Sequence, residues 1–73
     1  MEDLSQGRLI YSKDGRYIFV ITMDVLNKLY IHQMYEMDYR SYMLYPLSDI
    51  DKIKNLVTDE DYQLLQKRIL SRI

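Results

Sequence analysis

The chain has 73 residues, enough for one domain with a small core. It has no cysteine, which excludes disulfide bonds, thiolate nucleophiles, iron–sulfur clusters and all-thiolate zinc sites. Ten basic and eleven acidic residues give a net charge of -1, so the excess of positive charge typical of nucleic-acid binding is missing. We expect one domain over residues 1–73, with a frayed leader at 1–7, a β-meander at 8–47 and a helical part at 48–73.

The clearest local pattern is a β-hairpin near the start of the meander. Two β-favouring runs, residues 9–11 and Tyr17–Met23, flank the pair Asp14-Gly15. Glycine accepts the positive φ that a type I′ turn needs and aspartate tolerates it, so we predict a hairpin closed by a type I′ turn. The second run is apolar on both faces, which is typical of a strand inside a sheet.

Residues 22–38 fit two interpretations. As a strand, the segment alternates, and one of its faces carries Tyr30, His32 and Met34. As a helix, it has an apolar stripe at helical spacing, with Thr22 as the N-cap. The strand is preferred because it leaves a turn between the second and third strands and gathers charged and polar residues on one side.

A fourth strand and two helices complete the predicted elements. Residues 42–45 form the strand, and Pro46 ends it because proline withholds a backbone donor. Ser48 and Thr58 each precede an acidic residue three positions on, which is an N-cap pattern. We therefore predict helices at 49–56 and 59–72; the second is acidic in its first turn and basic near its end, as the helix dipole favours.

The predicted fold class is α+β, a small antiparallel β-meander of about four strands with two C-terminal α-helices packed on one face. Partial closure into an SH3-like barrel is the main variant. A ββα arrangement, in which residues 23–37 are helical, is the main rival.

Three segments carry a family resemblance: Lys13-Asp14-Gly15, residues 24–31 and residues 46–53. Their spacing resembles small SH3-like or Sm-like barrels, and it is similar in rhythm to the bacterial YolD-like proteins, a family associated with DNA-damage responses. The resemblance implies a small β domain. It brings no diagnostic functional residue with it, so it implies no activity.

Few residues are candidates for catalysis or metal binding. His32 is the only histidine, and neither it nor Ser12 or Ser41 lies in a nucleophile-elbow pattern. The acidic run at 59–61 lacks the central glycine of a calcium loop and fits the first turn of a helix. No glycine-rich phosphate loop occurs. We expect a non-enzymatic protein with no catalytic residue, no cofactor and no metal site.

The eight tyrosines are the main sequence evidence for a partner. Each buried hydroxyl needs a hydrogen-bond partner, so several of these rings must reach the surface of so small a domain. Tyrosine and methionine are enriched at the cores of protein interfaces. If strands three and four pair, Tyr30, His32, Met34 and Tyr42 form one exposed patch, and we predict that it binds a protein partner or a second copy of the chain.

Nucleic-acid binding is the alternative function, because aromatic residues on strands stack on unpaired bases. Residues 8–47, however, carry five basic and four acidic residues, a balance of only +1. No apolar run approaches the roughly 20 residues of a membrane helix, and the N-terminus is acidic and then polar. We expect a cytoplasmic regulator, adaptor or inhibitor with no membrane partner.

Overall fold

The structure is a computed structural model that describes residues 9–72, and its sheet is built from uncharged segments. None of the strand residues is Asp, Glu, Lys or Arg. The elements are β1 (Ile10–Tyr11), β2 (Tyr17–Met23), β3 (Leu29–Tyr35), β4 (Ser41–Pro46), a 3₁₀ helix (Leu47–Lys52) and α1 (Asp59–Leu70). The α+β class is therefore confirmed, whereas the predicted leader at 1–7 lies outside the described residues.

The four strands form one antiparallel sheet in which spatial order follows chain order. β3 pairs with all of β2, from Tyr17 opposite Tyr35 to Met23 opposite Leu29. The strand interpretation of this segment is confirmed, and the helical ββα alternative is wrong. β1 and β4 are the two edges of an open sheet, so the described strands show no SH3-like closure.

The first hairpin is present, but its turn is not type I′. Within this turn only Gly15 has a positive φ, of 76°, and its N–H donates to the carbonyl of Ser12 at 2.9 Å. Asp14 keeps a negative φ. Its carboxylate instead accepts from the hydroxyl of Ser12 at 2.6 Å and from the N–H of Arg16 at 3.0 Å. The aspartate thus acts through its side chain rather than its backbone freedom.

An aspartate closes each of the three hairpins in this way. Asp24 accepts from the N–H groups of Leu26 and Lys28 at 2.8 and 2.9 Å. Asp38 accepts from the N–H of Arg40 at 3.1 Å and from its Nε at 2.7 Å. A carboxylate that accepts nearby N–H groups holds a turn without help from the core.

These hydrogen bonds predict that acid lowers the stability of the fold. The hydroxyl of Ser12 lowers the pKa of Asp14, and backbone N–H groups, of Lys28 and Arg40 respectively, lower the pKa values of Asp24 and Asp38. Because the folded pKa values lie below those of the unfolded chain, the ionised carboxylates stabilise the fold above about pH 4. That contribution is lost as the pH falls through the folded values.

We expect the urea midpoint to stay level from neutral pH to about pH 5 and to fall below about pH 4. A variant with all three turn aspartates replaced by asparagine should start less stable and lose less on acidification. If acidification lowers the stability of the wild type and of the triple variant by the same amount, groups other than these aspartates cause the loss.

Tyr39 ends the third turn in the left-handed region, with φ at 62°, and its N–H donates to the carbonyl of Tyr35 at 2.8 Å. A side chain in this region costs roughly 1–2 kcal/mol, which glycine avoids at the cost of a more flexible unfolded chain. The ring is 63% exposed, so little packing is at stake.

We predict that Tyr39→Gly raises the free energy of unfolding by about 0.5–1 kcal/mol in urea titrations. Tyr39→Ala is the matched control, because it removes the same ring and keeps Cβ; it should give no gain. Equal effects from both variants would assign the change to the ring and not to the backbone.

The apolar core lies between one face of the sheet and the helical part. We call that side of the sheet the helix face. Its buried side chains come from the four strands, from the segment between the two helices and from α1: Ile10, Phe19, Ile31 and Tyr45; Ile53 and Val57; and Leu65 and Ile69. Packing of the C-terminal part on one face, as predicted, is therefore observed.

The first predicted helix is wrong. The segment is a six-residue 3₁₀ helix with Pro46 as its N-cap, no side-chain cap bond and a kink at Asp49. The reason lies in the apolar spacing: Leu47, Ile50 and Ile53 recur every three residues, and all three contact or join the core. A period of three matches the 3₁₀ helix, whose side chains eclipse at i and i+3.

The second helix begins where the sequence predicts. The side chain of Thr58 accepts from the N–H of Asp61 at 3.1 Å, and three acidic residues occupy the first turn. Leu65 and Ile69 are buried, whereas Leu70 is 71% exposed. In the part of the chain that the structure covers, neither helical segment has the length and apolarity to cross a bilayer.

Candidate interaction surface

Three of the four predicted partner-binding residues lie together on the sheet. Tyr30, His32 and Met34 alternate along β3 with Ile31 and Gln33, which are buried on the helix face. The three therefore occupy the opposite side, which we call the outer face. Each is half-buried. Neither helical segment packs on this face, because both lie against the other one.

Tyr42 does not join them. The register between β3 and β4 shifts between Gln33 and Met34, and Tyr42 is the residue that this bulge leaves without a partner. Its ring contacts those of Tyr17 and Tyr35, with centroids 4.8 and 5.5 Å away. Those two rings share a side with Phe19 and Gln33 by alternation, so Tyr42 lies on the helix face and not on the outer one.

Leu44 takes the place predicted for Tyr42. It stands opposite His32 in the β3–β4 register and is 52% exposed. Counting back from buried Tyr45 places Leu44 on the outer face, so alternation was the signal that could have found it. The same alternation places Tyr42 on the outer face as well. No residue pattern marks the bulge that moves Tyr42 to the helix face.

Hydrogen bonds fix two side chains of this surface. The hydroxyl of Tyr30 donates to Oδ2 of Asp24 at 3.2 Å. The negative charge of Asp24 raises the pKa of Tyr30, and burial adds to the effect, so the phenol stays protonated. His32 Nε2 and Ser41 Oγ share a hydrogen bond of 2.7 Å. The rings are thus oriented before any partner arrives.

The tyrosine cluster, Tyr17, Tyr35 and Tyr42, lies at the end of the sheet near the first and third turns. The guanidinium of Arg40 sits 4.9 Å from the centre of the Tyr35 ring. Burial, followed by the neighbouring phenols, raises the pKa of Tyr17. Of the eight tyrosines only Tyr45 is buried, which confirms that most reach or approach the surface.

β4 is an edge strand with little protection. Within residues 9–72 it pairs with β3 alone. Three consecutive large apolar residues, Tyr42, Met43 and Leu44, are 48%, 45% and 52% exposed. Natural edges are commonly guarded by charges, prolines or bulges; β4 has the bulge and a terminal proline but no charge. This edge adjoins the outer face at Leu44.

No cluster of three or more metal-ligating side chains occurs in the portion of the chain that the structure describes. The absence of a cofactor stays a prediction.

Comparisons of the chain with protein-family models, with curated proteins and with solved structures found no match. The resemblance to SH3-like barrels and YolD-like proteins gains no support from them.

Proposed function

We propose that this protein is a non-enzymatic interaction module, a small regulator, adaptor or inhibitor, that binds a protein partner through the outer face beside β4. One observation carries the proposal. Tyr30, His32, Met34 and Leu44 form a contiguous surface without charge, and it continues into an uncharged edge strand. Aromatic and methionine side chains with a few fixed polar ends are the usual makeup of an interface core.

A protein partner suits this surface better than nucleic acid does. Phosphate recognition depends on Lys and Arg, and no strand of the sheet carries either. The basic residues nearest the tyrosine cluster lie in turns. Of these, Arg40 is already paired with Asp38 at 2.7 Å. Stacking alone would leave the nucleic-acid backbone without contacts on the sheet.

The His32–Ser41 pair supports the non-enzymatic part of the proposal. Nucleophilic catalysis needs a histidine and serine that are enclosed with oxyanion donors and shielded from water. This pair lies on the outer face of the sheet, His32 is half-buried and Ser41 is exposed. Its bond instead links β3 to β4 close to the bulge.

Site-specific photo-cross-linking tests the proposed surface. A photoreactive phenylalanine analogue at position 44 should give a discrete protein adduct in cells that express the chain. The same analogue at position 25 should not. Val25 is a matched control because it is apolar, 96% exposed and located in the β2–β3 turn.

A pair of matched lysine substitutions extends this test to binding affinity. With the cross-linked partner purified, Leu44→Lys should weaken binding at least tenfold, while Val25→Lys should leave it unchanged. Equal adducts at positions 44 and 25, or none at 44, would refute the proposed surface.

A further inference from the structure

We infer that the protein partner is a second copy of this chain, which pairs antiparallel with β4 edge to edge and joins two four-stranded sheets into one. This inference rests on the proposed function, because it names the occupant of the β4 edge where that surface ends, at Leu44. It starts from the backbone: an edge strand presents N–H and C=O groups that no strand of its own sheet satisfies. β4 presents them beside side chains that are about half exposed from Tyr42 to Leu44.

Charge favours a copy of the same chain as the occupant. In an antiparallel pair, like charges directly opposite one another destabilise the contact. β4 has no charged residue, so two copies of it meet without that penalty. The chain's net charge of -1 adds little repulsion at longer range.

The side chains also fit a two-fold axis. An axis perpendicular to the sheet keeps the helix faces of both copies on one side, so paired residues must share a face. A two-fold axis that passes beside Leu44 pairs residues that share a face. It sets Leu44 against Leu44 of the second copy on the outer face, and Met43 against Tyr45 of the second copy on the helix face, a favourable sulfur–aromatic pairing.

The opposite edge of the sheet limits assembly to two copies. β1 has only two residues, and beside it the N–H of Lys13 already donates to the carbonyl of Leu56 at 2.8 Å. A fibre would need a second long edge, whereas an isologous contact at β4 closes the assembly. The bulge and Pro46 shorten the paired stretch, so we expect reversible association rather than an obligate dimer.

Sedimentation equilibrium from micromolar to millimolar concentration tests the inference. The wild type should rise from the monomer mass toward twice that value. Leu44→Lys sets two ammonium groups against each other across the axis and should weaken association at least tenfold. Val25→Lys, which adds the same charge at an exposed turn, should behave as wild type. Circular dichroism confirms that each variant is folded.

Charge complementation identifies the axis. Leu44→Lys and Leu44→Glu should each stay monomeric alone and associate when mixed, because the axis then pairs opposite charges. A wild type that stays monomeric, or a Leu44→Lys variant that associates normally, overturns the inference. If the wild type is monomeric but position 44 still cross-links to another protein, the proposed function survives without the second copy; if neither occurs, both fail.

Discussion

Phe19→Ala is expected to cost about 3–5 kcal/mol of unfolding free energy, the largest effect of any single substitution considered for this chain. Phe19 is 1% exposed in the centre of β2, opposite Ile10 on one side and Gln33 on the other. Its ring faces the helical part across the core. A domain of this size has roughly 4–11 kcal/mol of stability in total, so the variant should be partly unfolded at room temperature.

Urea unfolding followed by circular dichroism measures this loss. Two controls distinguish the loss of core packing from a general effect of substitution in β2. Phe19→Leu keeps most of the volume and should cost less than about 1.5 kcal/mol. Val20→Ala changes the neighbouring strand residue, which is half-buried on the outer face, and should cost clearly less than Phe19→Ala. Similar losses at positions 19 and 20 would mean that both faces contribute equally to the core.

Tyr45→Phe should give the second largest effect, a loss of about 1–3 kcal/mol. The hydroxyl of Tyr45 donates to Oε1 of Gln33 at 2.7 Å, and both residues are buried, at 8% and 3% exposure. Removing the donor leaves the amide oxygen of Gln33 inside the core without this bond. Burial raises the pKa of Tyr45, so the phenol stays a donor throughout the physiological range.

A double-mutant cycle with Gln33→Leu isolates that hydrogen bond. Each single variant leaves one buried polar group without its partner, whereas the double variant removes both groups and should be nearly as stable as the better single variant or more so. Losses that simply add would show that the two side chains do not depend on each other. Urea midpoints of the four proteins provide the measurement.

Local patterns in the sequence predicted the elements whose information is local. The bounds of β2 follow from a run of β-favouring residues, and the start of α1 follows from Thr58 and the acidic turn after it. β3 was identifiable because alternation and a preceding turn favour a strand over a helix there. Each of these features depends on residues a few positions apart, which is why single-sequence patterns capture them.

The predictions from sequence failed where one local pattern is compatible with two structures. Ser48 and Asp51 look like a helix start, yet the three-residue spacing from Leu47 to Ile53 gives a 3₁₀ helix. Asp14 looks like a turn residue with positive φ, yet its side chain closes the turn. In both cases the residue types suit either geometry, and only packing or hydrogen bonding in the folded chain selects one.

The candidate surface was predictable in three of its four positions. Tyr30, His32 and Met34 follow from alternation along β3. Tyr42 was assigned to the wrong face because one bulge reverses the alternation at a single residue. No propensity or spacing in the sequence encodes that bulge, since it depends on how β4 meets β3.

The order of strands in this sheet, which repeats the order of the chain, bears on how fast the protein folds. Each strand finds its partner across a turn of a few residues, so three hairpins can close without long loops. The contacts of the C-terminal part with the sheet, such as α1 with β1, join more distant parts of the chain. Topologies dominated by such local contacts fold toward the rapid end for small domains, in milliseconds rather than seconds.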